Sequence, residues 1–114
     1  VVVGGWLPGG GNRTGRIGAL LVGYHDESGL RFAGKVGTGF SNAELTRLGR
    51  LFAGLEQPGS SFVDKVPYKL AHYLDPSLVA EVEFTEWTHN GTLRHPSYKG
   101  LRDDKVADAV IRET

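Results

Sequence analysis

One stretch of the chain, residues 41–55, carries its apolar side chains at helical spacing: Leu45, Leu48, Leu51, Phe52 and Leu55 share a face. The start of this helix is marked twice. Ser41 and Glu44 have the spacing of a capping box, and Phe40 and Leu45 have that of a hydrophobic staple. The runs on either side are β-branched, alternating or broken by turn residues. Three such strand-like runs precede the helix and two follow it. That is the element order of an OB-fold, a mainly-β, five-stranded barrel with the helix between strands 3 and 4. An SH3-like barrel is the competing small architecture.

The strands follow from local pattern. Residues 1–6 form a β-branched run, and residues 8–15 (PGGGNRTG) form a flexible loop. Residues 17–24 (IGALLVGY) are apolar on both faces and interrupted by Gly18 and Gly23, as in a strand bent within a small barrel. After the turn Asp26-Glu27-Ser28-Gly29, residues 30–36 alternate. This predicts Leu30, Phe32, Gly34 and Val36 on the core face, with Arg31, Ala33 and Lys35 outside. Residues 57–76 have no period of their own, and so long a connection either packs across the domain or serves its function. Residues 78–87 read as a strand with Leu78, Ala80, Val82 and Phe84 on one face and Glu81, Glu83 and Thr85 on the other. Asn90-Gly91 is a hairpin turn, and residues 93–98 are the returning strand, which Pro96 places at an edge or bulge. Asp103 or Asp104 then caps a short C-terminal helix carrying Val106, Val110 and Ile111. There is no internal repeat.

At 114 residues the chain is expected to form one domain with one modest core. Its 17 glycines favour tight turns and bends over long helices. The lack of Cys excludes disulfides and thiolate metal sites. The chain also lacks Met and opens on Val1-Val2-Val3, which is the expectation for a piece of a longer protein. No signal segment or membrane-length apolar run occurs, so a cytoplasmic location and no membrane partner are expected. With 13 basic and 13 acidic residues the formal net charge is zero. That argues against a free-standing, affinity-driven DNA binder, although it allows local cationic patches beside a partner domain.

One such patch is legible. Arg94, Lys99, Arg102 and Lys105 place four cations within twelve residues, with His95, Pro96, Tyr98 and Gly100 among them. Packing has no use for these cations, so the segment is read as holding or orienting an anionic group, phosphate above all.

Several segments then match one family in order. Arg102-Asp103-Asp104-Lys105 matches the R-x-D-K signature that ends the last motif of ATP-dependent DNA ligases. Leu93-Arg94-His95-Pro96-Ser97-Tyr98 resembles the basic-x-Pro-x-aromatic segment before it. Lys35-Val36-Gly37-Thr38-Gly39-Phe40-Ser41, followed at once by a helix, is similar to the K-x-G-T-G-F-S segment of the same domain. Gly4-Gly5-Trp6 and the run from Ile17 to Gly23 are similar too, so the resemblance spans nearly the whole chain. The chain resembles the C-terminal OB domain of a bacterial ATP-dependent DNA ligase of the end-joining repair type, within the nucleotidyltransferase superfamily. Messenger-RNA capping enzymes share this architecture, but the K-x-G-T-G-F match favours ligase.

The resemblance implies a division of labour. An adenylation domain carries the nucleophilic Lys in a K-x-D-G motif, which does not occur here, so the domain alone is expected to be inactive and to bind no cofactor. In the full-length enzyme, with ATP and Mg²⁺, the family implies that Arg102 and Lys105, with Lys99, contact the leaving pyrophosphate. Asp104 would orient that group or assist Mg²⁺ through water, and no metal ligand is assigned to this domain. A cationic clamp has physical sense there, because pyrophosphate must leave in line with the attacking amine and carries several charges. The implied partners are the adenylation domain of the same chain and nicked duplex DNA. Lys35, Thr38, Phe40, Arg13, Arg16 and Arg94 would face that DNA, and the isolated domain would be a monomer in the nucleoid-containing cytoplasm. DNA repair, recombination and replication are the processes implied.

Plainer readings remain beside these. Arg102 to Lys105 also suit a solvated, capped helix start. Phe40 suits the staple alone as well as a wedge in the minor groove. Lys35 suits an ordinary strand face, and Arg13 and Arg16 a hairpin tip. Trp6, Trp87 and Tyr98 read as packing aromatics. His25, His72, His89 and His95 lack metal-ligand spacing and read as surface or loop residues. Glu81, Glu83 and Glu86 read as an exposed strand face. The alternative function is a non-catalytic OB-fold module that holds single-stranded nucleic acid on aromatics and a basic groove.

Overall fold

The computed structural model describes residues 1–9, 17–102 and 110; the loop cations Arg13 and Arg16, the trio Asp103, Asp104 and Lys105, and the expected C-terminal helix lie outside them. The elements run β1 (Val2–Pro8), β2 (Ile17–Asp26), β3 (Gly29–Val36), α1 (Asn42–Ala53), β4 (Glu56–Gln57), β5 (His72–Glu83), β6 (Glu86–Trp87), β7 (Leu93–Arg94) and β8 (Ser97–Leu101). The long strands are β1, β2, β3, β5 and β8, and α1 falls between the third and fourth of them.

Antiparallel pairing gives the order β3-β2-β1-β5, with β4 and β8 both on β5. The 12-residue β5 bridges two regions. Its longer part, His72 to Val79, pairs with β1 and β4, and its last four residues, Ala80 to Glu83, pair with β8. Past the end of β3 the chain meets β8 through one backbone bond, from the Tyr98 N–H to the Thr38 carbonyl at 2.9 Å.

Neighbouring residues of the central strands alternate between two apolar clusters. Val3, Leu20 and Val22 join Leu45, Leu48 and Phe52 of α1 in the larger one. Val2, Leu21, Leu30 and Val79 join Phe62 in the other. This explains why residues 17–24 are apolar on both faces. The outer face of the sheet is roofed by the connection between β4 and β5, with Phe62, Val66 and Tyr68 against it. The Phe62 ring fits because Gly23 has no side chain: a Cβ there would meet the ring at 2.8 Å.

Four sequence expectations are corrected. Alternation in β3 breaks at Ala33: Gly23 pairs with Phe32 and Val22 with Gly34, leaving Ala33 as the extra residue of a bulge. Leu30 and Phe32 therefore pack with the outer cluster and Ala33 and Val36 with the inner one, so Arg31 and Lys35 no longer share a face defined by simple alternation. The strand expected at 78–87 begins six residues earlier, at His72. Pro76 is tolerated inside it because the register with β1 slips between the Tyr73–Gly5 and Leu78–Val3 pairs, where no ladder bond is required of its nitrogen. The returning strand is split into β7 and β8 by His95, whose φ of 53° is left-handed, and by Pro96. Finally, His25 lies in a strand rather than a loop and is only partly exposed, whereas His72 is a surface residue as expected, on strand β5 and stacked on Trp6 at 4.1 Å.

Candidate nucleic-acid interface and phosphate clamp

Two of the motif segments, about sixty residues apart in sequence, are packed on each other. In the loop between β3 and α1, the Thr38 carbonyl accepts the Tyr98 N–H at 2.9 Å and the Thr38 hydroxyl reaches the Pro96 carbonyl at 3.4 Å. Gly39 has φ +95°, and a Cβ there would meet the Tyr98 backbone, 2.7 Å from its nitrogen, so only glycine fits this approach. The Phe40 ring then stacks on Tyr98, with centroids 4.6 Å apart and planes 23° from parallel. Phe40 also packs against the inner cluster that contains Leu45. The staple position is thus occupied, with the partly exposed ring resting on Tyr98.

Beneath Phe40 the polar chemistry is charge-assisted. Tyr98 is 3% exposed, and its hydroxyl donates to Glu44 Oε2 at 2.7 Å. Glu44 also accepts from Arg47 Nη1 at 3.0 Å. Ser41 caps α1 by accepting the Glu44 N–H at 3.1 Å. Only that half of the expected capping box is made, because the Glu44 carboxylate turns to Tyr98 and Arg47. Burial raises the Glu44 carboxyl, but the bonds from Tyr98 and Arg47 outweigh it and hold the group below the usual carboxylate range. Burial, and then the adjacent Glu44 carboxylate, push the Tyr98 phenol far above its ordinary value. Tyr98 therefore stays a donor and Glu44 an acceptor.

The described cations of the C-terminal patch are each matched with a carboxylate. Arg94 Nε lies 3.1 Å from Glu86, Lys99 Nζ 3.1 Å from Glu83, and Arg102 Nη1 3.5 Å from Glu81. The pairing follows from register, since β6 faces β7 and β5 faces β8. Sequence reasoning treated Glu81, Glu83 and Glu86 as mere solvated face. The available signal was the placing of acidic residues before the Asn90-Gly91 turn and basic residues after it, which the β6–β7 and β5–β8 pairings bring together. The Arg102 N–H bonds the Val79 carbonyl at 2.7 Å, so its backbone is fixed while its guanidinium remains partly exposed. Lys35 lies on the outer face, its amine 5.3 Å from the centre of the Tyr68 ring.

One concavity of about 400 Å³ is lined by Glu56, Gln57, His72 and Tyr73, and another of about 390 Å³ by Trp6, Leu45 and Phe52. Neither includes Lys35, Phe40, Lys99 or Arg102. Among the described residues no group of three or more His, Asp or Glu side chains is placed to hold a metal ion. Exposed cations of this kind can close on an anion together with a second surface.

The family model described as "ATP dependent DNA ligase C terminal region" matches residues 13–105. The chain belongs to that family. Over 99% of its length it is 46% identical to the multifunctional non-homologous end joining protein LigD of Mycobacterium bovis, of which the match covers 15%. The solved ligase domain from M. tuberculosis LigD matches with a TM-score of 0.92 at 44% identity, over 99% of this chain and 37% of that one. A mycobacterial DNA ligase D complexed with ATP and MES matches with a TM-score of 0.86 at 44% identity, over 99% of this chain and 36% of that one. The chain thus spans under a fifth of its relative's length. As a ligase C-terminal region it has the OB-fold, which the order of its long strands and single inserted helix had predicted. No described helix is long and apolar enough to cross a membrane.

Proposed function

We propose that this chain is the C-terminal domain of an ATP-dependent DNA ligase acting in end joining, a single domain with two faces used in turn. The observation that supports this best is the matched cationic strand: Lys99 and Arg102 stand on an exposed surface, held by Glu83 and Glu81. Exposed ion pairs contribute only about 0–1 kcal/mol each, so phosphate oxygens can replace those carboxylates at small cost.

In the first step a lysine amine on the adenylation domain of the same, longer chain attacks the α-phosphorus of ATP. The P–N bond forms as the P–O bond to pyrophosphate breaks, and the electron pair leaves on pyrophosphate. Arg102 and Lys105, with Lys99, orient and neutralise that leaving group, and Asp104 helps to orient it. Mg²⁺ belongs to the reaction on family grounds, and its ligands are assigned to the adenylation domain. In the second step the domain turns its other face to nicked duplex DNA. Lys35, Thr38 and Arg94, with Arg13 and Arg16 of the Gly-rich loop, contact phosphates, and Phe40 rests in the minor groove beside the nick. The domain works as a monomer in the cytoplasm, at the nucleoid.

The test uses the full-length protein and reads the two steps separately. Arg102→Ala should slow enzyme–AMP formation from labelled ATP by about 10²-fold. Phe40→Ala should instead slow sealing of nicked duplex by preformed enzyme–AMP. Normal adenylation by the Arg102 variant would sink the clamp, and a preference of the domain for single strands would point to a plain binding module.

A further inference from the structure

The geometry points to Tyr98 as a positioning residue for the DNA step: we infer that its ring and hydroxyl, anchored by Glu44, set the pose of the Thr38–Phe40 loop against the nick. This rests on the DNA-facing role of that loop proposed above. Tyr98 touches the loop at three points. Its N–H holds the Thr38 carbonyl at 2.9 Å, its backbone fills the space a Gly39 side chain would need, and its ring carries Phe40 at 4.6 Å. Its own freedom is small, because it is 3% exposed and its hydroxyl is tied to Glu44 at 2.7 Å. Glu44 is fixed in turn by Arg47 and by its place in the first turn of α1. The path from the helix start to the loop is Glu44 carboxylate, Tyr98 hydroxyl, Tyr98 ring, Phe40 ring. A partly exposed aromatic that must fit a base step gains from a rigid backing, because ordering it at the moment of binding would cost affinity.

In the full-length protein, Tyr98→Phe keeps the ring and removes only the anchor. It should slow single-turnover sealing of nicked DNA by preformed enzyme–AMP about tenfold, the loss typical of one charge-assisted bond, with enzyme–AMP formation changed by less than about twofold. Glu44→Leu should reproduce that split, whereas Glu44→Gln keeps an acceptor for the hydroxyl and should retain most of the sealing rate. In the pair Tyr98→Phe and Phe40→Ala, the double variant should seal no more slowly than the worse single variant, because both act through the Phe40 ring.

The outcomes separate the two layers. If Phe40→Ala seals nicks at the normal rate, the DNA role of the loop is wrong and this inference goes with it. If Phe40→Ala is impaired but Tyr98→Phe seals normally, or the two losses add, only the positioning role of Tyr98 is overturned. Equal loss of adenylation and sealing in Tyr98→Phe and Glu44→Leu would show a general folding role and would also overturn it.

Discussion

Tyr98 and Glu44 pull each other's titration in opposite directions, and both shifts have consequences for stability. The Tyr98 phenol titrates higher in the folded chain than in the unfolded one, where its value is about 10. Below that value both states hold the proton and the contribution is complete. As pH climbs above it, the unfolded chain loses the proton first, so stability falls. Glu44 is the mirror case: its folded value is lowered, so its contribution is complete above the ordinary 4.5 and is lost as pH falls through the folded value. Tyr98→Phe should therefore cost stability near neutrality, and the gap to the parent chain should narrow as pH rises above about 10. Urea denaturation of both chains between about pH 8 and about pH 11 measures this, and a gap that stays constant would refute the shift. At this scale the sequence was half legible. The Ser41 cap and the Phe40 staple position follow from spacing along a helix. The link from Tyr98 to Glu44 does not, because it depends on which strand lies against the helix start.

At the scale of elements, what could be read was local and what could not was a register. The helix and the Asn90-Gly91 turn were legible because each is set by residues within one or two turns of chain. The bulge at Ala33, the early start of β5 and the break at His95 arise from pairing between distant strands, which a single strand's alternation does not carry. The same limit hid the carboxylates opposite Arg94, Lys99 and Arg102. The connection between β4 and β5 lacked any period because it is shaped by what it covers. Phe62, 7% exposed, lies in the early part of that connection, packed against Gly4 of β1 and Gly23 of β2 and edge-on to Phe32 at 5.3 Å. Phe62→Ala should cost about 3–5 kcal/mol by emptying the slot beside Gly23. A smaller loss, below about 1 kcal/mol by urea titration, would mean that the connection collapses to refill the space or is not part of the folded core.

At the scale of the molecule, charge balance bears on the DNA-facing role proposed for the domain. The chain has zero formal net charge, and its described C-terminal cations are already matched with Glu81, Glu83 and Glu86. Binding a phosphate backbone at Arg94 must then exchange its carboxylate for phosphate, so few counterions are released in net terms and the isolated domain should hold nicked duplex weakly. Replacing Glu81, Glu83 and Glu86 with Gln removes three negative charges and takes the formal net charge from 0 to +3. The fold should tolerate this, because exposed pairs are worth about 0–1 kcal/mol each. Each freed cation that meets a phosphate steepens the dependence of log affinity on log salt by about 0.9. The triple variant should bind nicked duplex more tightly at low salt, with a slope steeper by about one unit, because Arg94 alone of the three cations is assigned to the DNA face, and the difference should fade as salt rises. Fluorescence anisotropy across a salt series reads both quantities. Glu86→Gln by itself should account for that change, and a slope steeper by about three units would put Lys99 and Arg102 on the DNA face as well. An unchanged slope would place all three cations off the DNA face and leave the Lys35–Phe40 side to carry the contact.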